Sequence, residues 1–192
     1  MTDPYPTIRL DEHRVDLALG KANELVEHFM PKIVKRGKTG SQIPDHTLED
    51  RINRLYHDQV TGQISQLAIT TYMTGTDQLY RIQRWNCMQT PDKGDEGYDL
   101  PGLRMDVKGT RIKSHKDPRE YSLVIRPRER KPDWTYCLVL VELKKNCALC
   151  HIMGWATDDE LDGKVATSGV FNGAHVLGYS LLHPLPKLIW DL

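Results

Sequence analysis

The sequence predicts an α/β (α+β) fold, with a small mixed central β-sheet flanked by helices and an N-terminal helical extension. Apolar residues recur at three- and four-residue steps in the first half of the chain, and short β-favouring runs follow from Tyr98 onward. Helices followed by a cluster of strands are typical of helices packed on a sheet. We expect a single domain overall, with residues 1–60 as the extension and residues 61–192 as the core.

Three amphipathic stretches predict helices in the first half of the chain. Their ranges are 11–30, 46–58 and 61–73. Pro31 is expected to kink or stop the first helix, because proline lacks a backbone donor and clashes with the preceding turn. We interpret residues 79–89 as extended and residues 1–10 as an extended lead-in.

Five strands are predicted in the second half of the chain. Their ranges are 97–100, 103–109, 121–126, 135–142 and 149–155. The continuous apolar run from Tyr136 to Val141 is typical of a central strand that is covered on both faces. Residues 163–181 are rich in glycine and are expected to be irregular.

The composition, 39% hydrophobic and 27% charged, is that of an ordinary soluble globular protein. No apolar run approaches the roughly 18 residues that a membrane helix needs, so we expect no membrane partner. The first thirty residues lack a basic start followed by an apolar stretch. We therefore expect no signal peptide and a cytoplasmic location.

The charge of the chain is balanced overall but unevenly distributed. The formal net charge is zero, whereas residues 104–131 hold ten Lys and Arg against four Asp and Glu, a local net charge of +6. Such a basic segment suits a phosphate backbone, and a solvated charged hairpin is the alternative.

The segment from Cys147 to His151 has the spacing Cys-x-x-Cys-His, which formally matches the pattern for covalent haem attachment. Covalent haem attachment normally requires export, and the sequence predicts none. A zinc site would need a second ligand pair with matching spacing, which is missing. We therefore predict a core or strand-edge role for this segment.

A predicted tight hairpin carries the residues most informative about chemistry. Asp106 and Lys108 are two apart on a predicted strand, so both side chains leave the same face. A turn at Pro101-Gly102 would fold Asp99 back toward them. Two carboxylates beside an ammonium predict a divalent-cation site, and an edge-strand salt bridge among the three residues is the alternative.

Carboxylate and carbonyl oxygens are the ligands that Mg²⁺ prefers. The predicted metal ligands are therefore Asp99, Asp106 and the carbonyl of Val107, with Mn²⁺ as a substitute ion. Lys108 beside the ion would position or deprotonate a water molecule, or neutralise the charge on a phosphoryl group.

The hairpin segments 97–100 and 105–110 resemble the core of the PD-(D/E)XK nuclease superfamily. In that family one acid ends the first core strand, a second acid and a lysine lie on the next strand, and a preceding helix carries a further acid. The resemblance covers roughly residues 61–161 and implies a restriction-endonuclease-like fold. It also implies Mg²⁺-dependent hydrolysis of a nucleic-acid phosphodiester by a metal-activated water.

The catalytic residues implied by this resemblance are Asp99, Asp106, Lys108 and Gln66. Gln66 stands where the family has glutamate. Its amide can hydrogen-bond a metal-bound water or ligate weakly, but it supplies no negative charge. A weakened or inactive enzyme that still binds nucleic acid is therefore an alternative reading.

Side chains flanking the acidic pair are candidates for contacts to DNA phosphates. The residues so predicted are Thr110, Arg111, Lys113, Arg126 and Arg128. The arginines at 126, 128 and 130 alternate, so we expect them to share one face of a strand. A solvated outer face is the alternative.

The main functional hypothesis is a metal-dependent deoxyribonuclease that binds DNA, with RNA left open as a substrate. The alternatives are a nuclease-fold nucleic-acid-binding module without activity and a protein-interaction domain. A homodimer is compatible with the first hypothesis, because a symmetric pair would cut both strands of a duplex.

Overall fold

The computed structural model describes residues 5–38, 47–89, 104–113 and 115–186. Across these ranges the chain forms a mixed α+β fold with three α-helices and six β-strands. Four strands make one mixed sheet and two make a second, small sheet. The predicted class, a small mixed sheet with helices, is confirmed.

Helix α1 (Glu12–Lys38) is longer than predicted, because Pro31 lies inside it. The expectation that Pro31 stops the helix is therefore wrong. Proline removes a single backbone hydrogen bond, and the helix continues past it to Lys38. The residues of α1 that pack into the core are Val15, Ala18, Ala22 and Val26.

Helix α2 (Leu48–Thr74) joins the second and third predicted helices into one. It begins at a capping box, in which Thr47 and Asp50 satisfy each other's backbone donors, and ends at Gly75, which has a φ of 74°. The expected break between residues 58 and 61 is absent, because Val60, Ile64 and Leu67 continue one buried face of the helix through it. The Thr61 hydroxyl donates to the His57 carbonyl within the helix, at 2.8 Å.

Residues 78–89 form helix α3 (Gln78–Gln89) and are not extended as predicted. Tyr80 explains the difference, because its ring is buried and its hydroxyl donates to the Gln63 side-chain oxygen of α2 at 2.8 Å. The apolar residues of this segment were compatible with either period, and packing against α2 selects the helix.

The main sheet has the strand order β1-β5-β4-β2. Its strands are β1 (Thr7–Leu10), β2 (Met105–Arg111), β4 (Thr135–Leu143) and β5 (Ala148–Thr157). β2 runs parallel to β4, whereas β5 is antiparallel to both β4 and β1. The predicted lead-in thus contains an edge strand, and β4 is central as predicted.

The second sheet pairs β3 (Ser122–Ile125) with β6 (His175–Gly178) in antiparallel register. β3 was predicted at 121–126, but it does not join the main sheet. β6 lies in the segment that was expected to be irregular. The strand predicted at 97–100 lies outside the described residues.

The main sheet separates two hydrophobic clusters. On β4, Cys137 and Val139 belong to the cluster shared with the helices, whereas Leu138 and Leu140 belong to the cluster under the small sheet. Described helices therefore cover one face of the main sheet, and the β3–β6 sheet covers the other. None of these helices combines the length and apolar character that a bilayer crossing requires.

The predicted division at residue 60 falls inside α2. Leu10 and Val15, from the first sixty residues, lie in the same hydrophobic cluster as Ile64 and Cys150. Strand β1 and the first part of α1 thus contribute side chains to the core under the sheet.

Candidate functional site

The two faces of β2 have different partners. Met105 and Val107 belong to the cluster shared with α2, and a Cβ on Gly109 would overlap the Ser65 hydroxyl of that helix. Because side chains alternate along a strand, Asp106 and Lys108 leave the opposite face. The prediction that these two side chains share a face is therefore met in the folded protein.

Three charged side chains meet on this face of β2. The Lys108 ammonium lies 2.9 Å from the Asp106 carboxylate and donates a hydrogen bond to the Glu129 carboxylate at 3.2 Å. Asp106 is 17% exposed, Lys108 24% and Glu129 28%. The group is thus largely withdrawn from water, while each of the three side chains keeps part of its surface exposed.

The electrostatics of the group favour a charged lysine. Burial of the Lys108 ammonium opposes its charged form, but the carboxylates of Asp106 and Glu129 outweigh burial and raise the pKa of Lys108 above its usual value. The lysine is therefore an ammonium at neutral pH.

Glu129 lies in a short loop between β3 and β4, which places its side chain beside Lys108. Pro127 begins a 3-10 helix, Pro127–Glu129, directly after β3. The next residue, Arg130, donates to the buried Asp158 carboxylate at 2.6 and 3.2 Å and pairs with Asp162 at 2.7 Å. A bidentate contact between a guanidinium and a carboxylate has a fixed geometry, so it holds Arg130 and the loop that carries it in one position.

A second anchor holds the same loop. The buried Tyr136 of β4 accepts a hydrogen bond from the Lys131 backbone N–H at 2.7 Å, and its hydroxyl lies 3.3 Å from the Lys131 carbonyl. The ammonium of Lys131 lies over the Trp134 ring at 3.7 Å from its centre. The loop that carries Glu129 is therefore fixed at Arg130 and at Lys131, the two residues that follow it.

The prediction that the arginines at 126, 128 and 130 share one face of a strand is wrong. β3 ends at Ile125, and the 3-10 helix that follows replaces the strand alternation. Arg126 is exposed and lies 3.5 Å from Glu129, Arg128 is exposed, and Arg130 is held by Asp158. Proline at 127 supplies the physical reason, because its fixed φ and missing donor suit a turn.

The other predicted phosphate contacts extend from the far end of β2. Thr110 is half-buried and follows the alternation of Lys108, whereas Arg111 and Lys113 are exposed. The Lys113 backbone N–H donates to the Tyr121 hydroxyl at 2.7 Å, which holds the chain beyond the strand. In the described part of the chain no ion pair involves Arg111, Lys113 or Arg128.

Gln66 belongs to α2, on the helical side of the sheet. Asp106 and Lys108 leave the other side of β2, so the sheet strand separates the backbone of Gln66 from their side chains. Asp99 lies outside the described residues.

The Val107 carbonyl points to the edge of β2 that faces away from β4. The Arg104 carbonyl accepts from the Thr135 N–H and the Ile112 N–H donates to the Val141 carbonyl, so the backbone groups of the even-numbered residues of the strand bond to β4.

In the ranges that the structure covers, no group of three or more His, Cys, Asp or Glu is placed to hold a metal ion. The carboxylates available there are those of Asp106 and Glu129.

Glu129 was not among the predicted site residues. The same tripeptide, Pro-Arg-Glu, occurs at 118–120 and at 127–129, and both copies form 3-10 helices. Glu120 is exposed, whereas Glu129 contacts Lys108. Local sequence contains no signal that separates the two copies, because the difference depends on where β3 and β4 place the second loop.

A comparison of the chain with family models, curated proteins and solved structures finds no match.

Proposed function

We propose that the protein is a divalent-cation-dependent deoxyribonuclease with a restriction-endonuclease-like core of the PD-(D/E)XK type. The observation that carries the proposal is the contact between Asp106 and Lys108 on one face of a sheet strand. An acid and a lysine two residues apart, both half-buried, match the second half of the family's motif. The order of helix, acid–lysine strand and apolar strand in the chain is also consistent with it.

The donor chemistry fits a hard divalent cation. Asp106 presents a carboxylate, and the Val107 carbonyl points toward the edge of β2 that does not bond to β4. With Asp99 as a further carboxylate, these residues would hold Mg²⁺ or Mn²⁺ through oxygen atoms alone. When bound, the ion supplies an acidified water and stabilises negative charge on a phosphoryl oxygen.

Lys108 has the role of a fixed positive charge in this proposal. Its ammonium is held by two carboxylates, and its pKa is raised. A protonated lysine binds a phosphate oxygen and stabilises the charge that develops on it during hydrolysis.

The exposed cations favour nucleic acid as the substrate. Arg111 and Lys113 continue from the strand that carries Lys108, and Arg128 is next to Glu129 in sequence. Exposed cations around a phosphate-binding centre contact the flanking phosphates, and affinity then falls steeply with salt.

A nucleic-acid-binding module without activity is the second candidate. It is favoured by the absence of a third carboxylate or metal ligand near Lys108 among the described residues. This candidate predicts salt-sensitive DNA binding without cleavage.

Cleavage of supercoiled and linear plasmid in Mg²⁺, Mn²⁺ or EDTA tests the proposal. We expect nicking or linearisation that needs the divalent ion and is lost in Lys108→Ala. Lys144→Ala is a matched control, because it removes another lysine that is paired with a carboxylate, Glu142. DNA binding with no cleavage in any metal would favour the binding module. Equal cleavage by Lys108→Ala and the wild type would refute the proposed centre.

A further inference from the structure

We propose that Glu129 is a positioning residue of this site and holds the Lys108 ammonium in its place beside Asp106. The catalytic consequence rests on the proposed function, whereas the contact itself does not. Glu129 lies 21 residues from Lys108 in the chain and reaches it at 3.2 Å. The contact is therefore a product of the fold rather than of local sequence.

A lysine needs more than one partner to be fixed in direction. Its four-carbon side chain is flexible, and its ammonium is a point charge without a planar geometry of its own. Asp106 leaves the same strand two residues earlier and holds the ammonium from one side. Glu129 holds it from a different element, so rotation about the lysine side chain is restrained in two directions.

The loop that carries Glu129 is itself held in place by contacts of the two residues that follow it. Arg130, the next residue, is bound to the buried Asp158 by two hydrogen bonds to its carboxylate. Lys131 is bound through its backbone to the hydroxyl of Tyr136. A carboxylate that served only as a surface charge would not need such anchors on the two residues that follow it.

The chain contains an internal comparison. Pro118–Glu120 repeats the tripeptide Pro-Arg-Glu and its 3-10 conformation, yet Glu120 is exposed and is not in contact with Lys108. Glu120 and Glu129 thus share local sequence and backbone class and differ in the contact with Lys108. Glu120→Gln removes the same charge from the same basic segment and is a matched control for Glu129→Gln.

The first test measures DNA cleavage. We expect Glu129→Gln to lower kcat by roughly ten- to a hundredfold with little change in the KM for DNA, because misplacing a reacting group costs rate more than binding. Glu129→Asp keeps the charge and should recover part of the rate. Glu120→Gln should match the wild type. Equal rates for Glu129→Gln and Glu120→Gln would overturn the proposal.

The second test does not depend on activity. The rate of acylation of Lys108 at a fixed pH is followed by mass spectrometry on the folded wild type and both glutamine variants. We expect Lys108 to react several-fold faster in Glu129→Gln and at the wild-type rate in Glu120→Gln. Unchanged acylation in Glu129→Gln would overturn the contact. If the wild type cleaves no DNA, the proposed function fails, and the acylation rates alone decide the role of Glu129.

Discussion

Gly109 of β2 lies directly against Ser65 of α2, where a Cβ on the glycine would overlap the serine hydroxyl. The same Cβ would lie 2.9 Å from the Thr61 carbonyl oxygen. Ser65 is fully buried, and its hydroxyl donates to that carbonyl at 2.8 Å. The strand that carries Asp106 and Lys108 is therefore seated on the helix at a position where only glycine fits.

Gly109→Ala should destabilise the protein by about 1–3 kcal/mol, the usual cost of overpacking a well-packed core. The added methyl group must displace helix backbone as well as a side chain, because the Thr61 carbonyl stands in its way. Urea unfolding measures the free energy. Gly178→Ala is the control, since Gly178 has extended backbone and no atom within 4 Å of its Cβ position.

Loss of Arg130 should lower the urea midpoint more than loss of Asp162. Arg130→Ala leaves the carboxylate of Asp158, which is 8% exposed, without its guanidinium partner. An unpaired buried charge is costly, whereas the Asp162 side chain is 70% exposed and its ion pair is screened by water. Equal midpoints for Arg130→Ala and Asp162→Ala would show that the contact with Asp158 does not fix the loop.

Periodicity located the elements whose burial is set by their own sequence. The first amphipathic helix and the continuous apolar run of β4 appear where periodicity predicts them, because both elements pack along a regular face. The acid–lysine pair is equally local. Asp106 and Lys108 share a face through strand alternation alone, and no other part of the chain is needed to predict it.

The remaining features depend on contacts between distant segments. Residues 78–89 are helical because Tyr80 packs against α2, and β6 is a strand because its residues pair with β3. The contact of Glu129 with Lys108 likewise depends on distant segments, since nothing in the tripeptide of Glu129 distinguishes it from that of Glu120. Such pairings cannot be predicted from the local sequence of one chain. Tertiary packing overrides the local preference for helix or strand where the two differ.

The stability of the protein should fall as the pH rises above about 9. Burial raises the pKa of the Cys150 thiol from its usual value of about 9.0 to about 12, and raises that of Cys137 still further. Both thiols stay neutral in the folded state while the unfolded chain ionises, so the stabilisation is complete below the unfolded pKa and declines above it. Each thiol contributes a loss of about 1.4 kcal/mol per pH unit in that window.

Urea unfolding at pH 7, 9 and 10.5 checks this dependence, with Cys150→Ala beside the wild type. The variant should be less stable at pH 7, because a buried side chain is shortened, and should lose less stability between pH 9 and 10.5. Parallel curves for the two proteins would contradict a buried, neutral thiol at Cys150. Alkylation with peptide mapping gives a second check, since the half-buried Cys147 should react before Cys137 and Cys150.

The segment around His183 should detach from β5 at acidic pH. Glu160 accepts from the Thr157 backbone N–H at 2.8 Å and contacts the His183 ring, and these contacts lower its pKa. A lowered pKa means that the stabilisation is present above the unfolded value and is lost as the pH falls through the folded one. The protection factors of the paired Trp155 and His183 amides, which correct for the slower intrinsic exchange in acid, should therefore fall in acid and, at neutral pH, in Glu160→Gln. Glu142→Gln, which removes an exposed pairing with Lys144, should leave both protection factors unchanged; an equal fall in both variants would disprove the link.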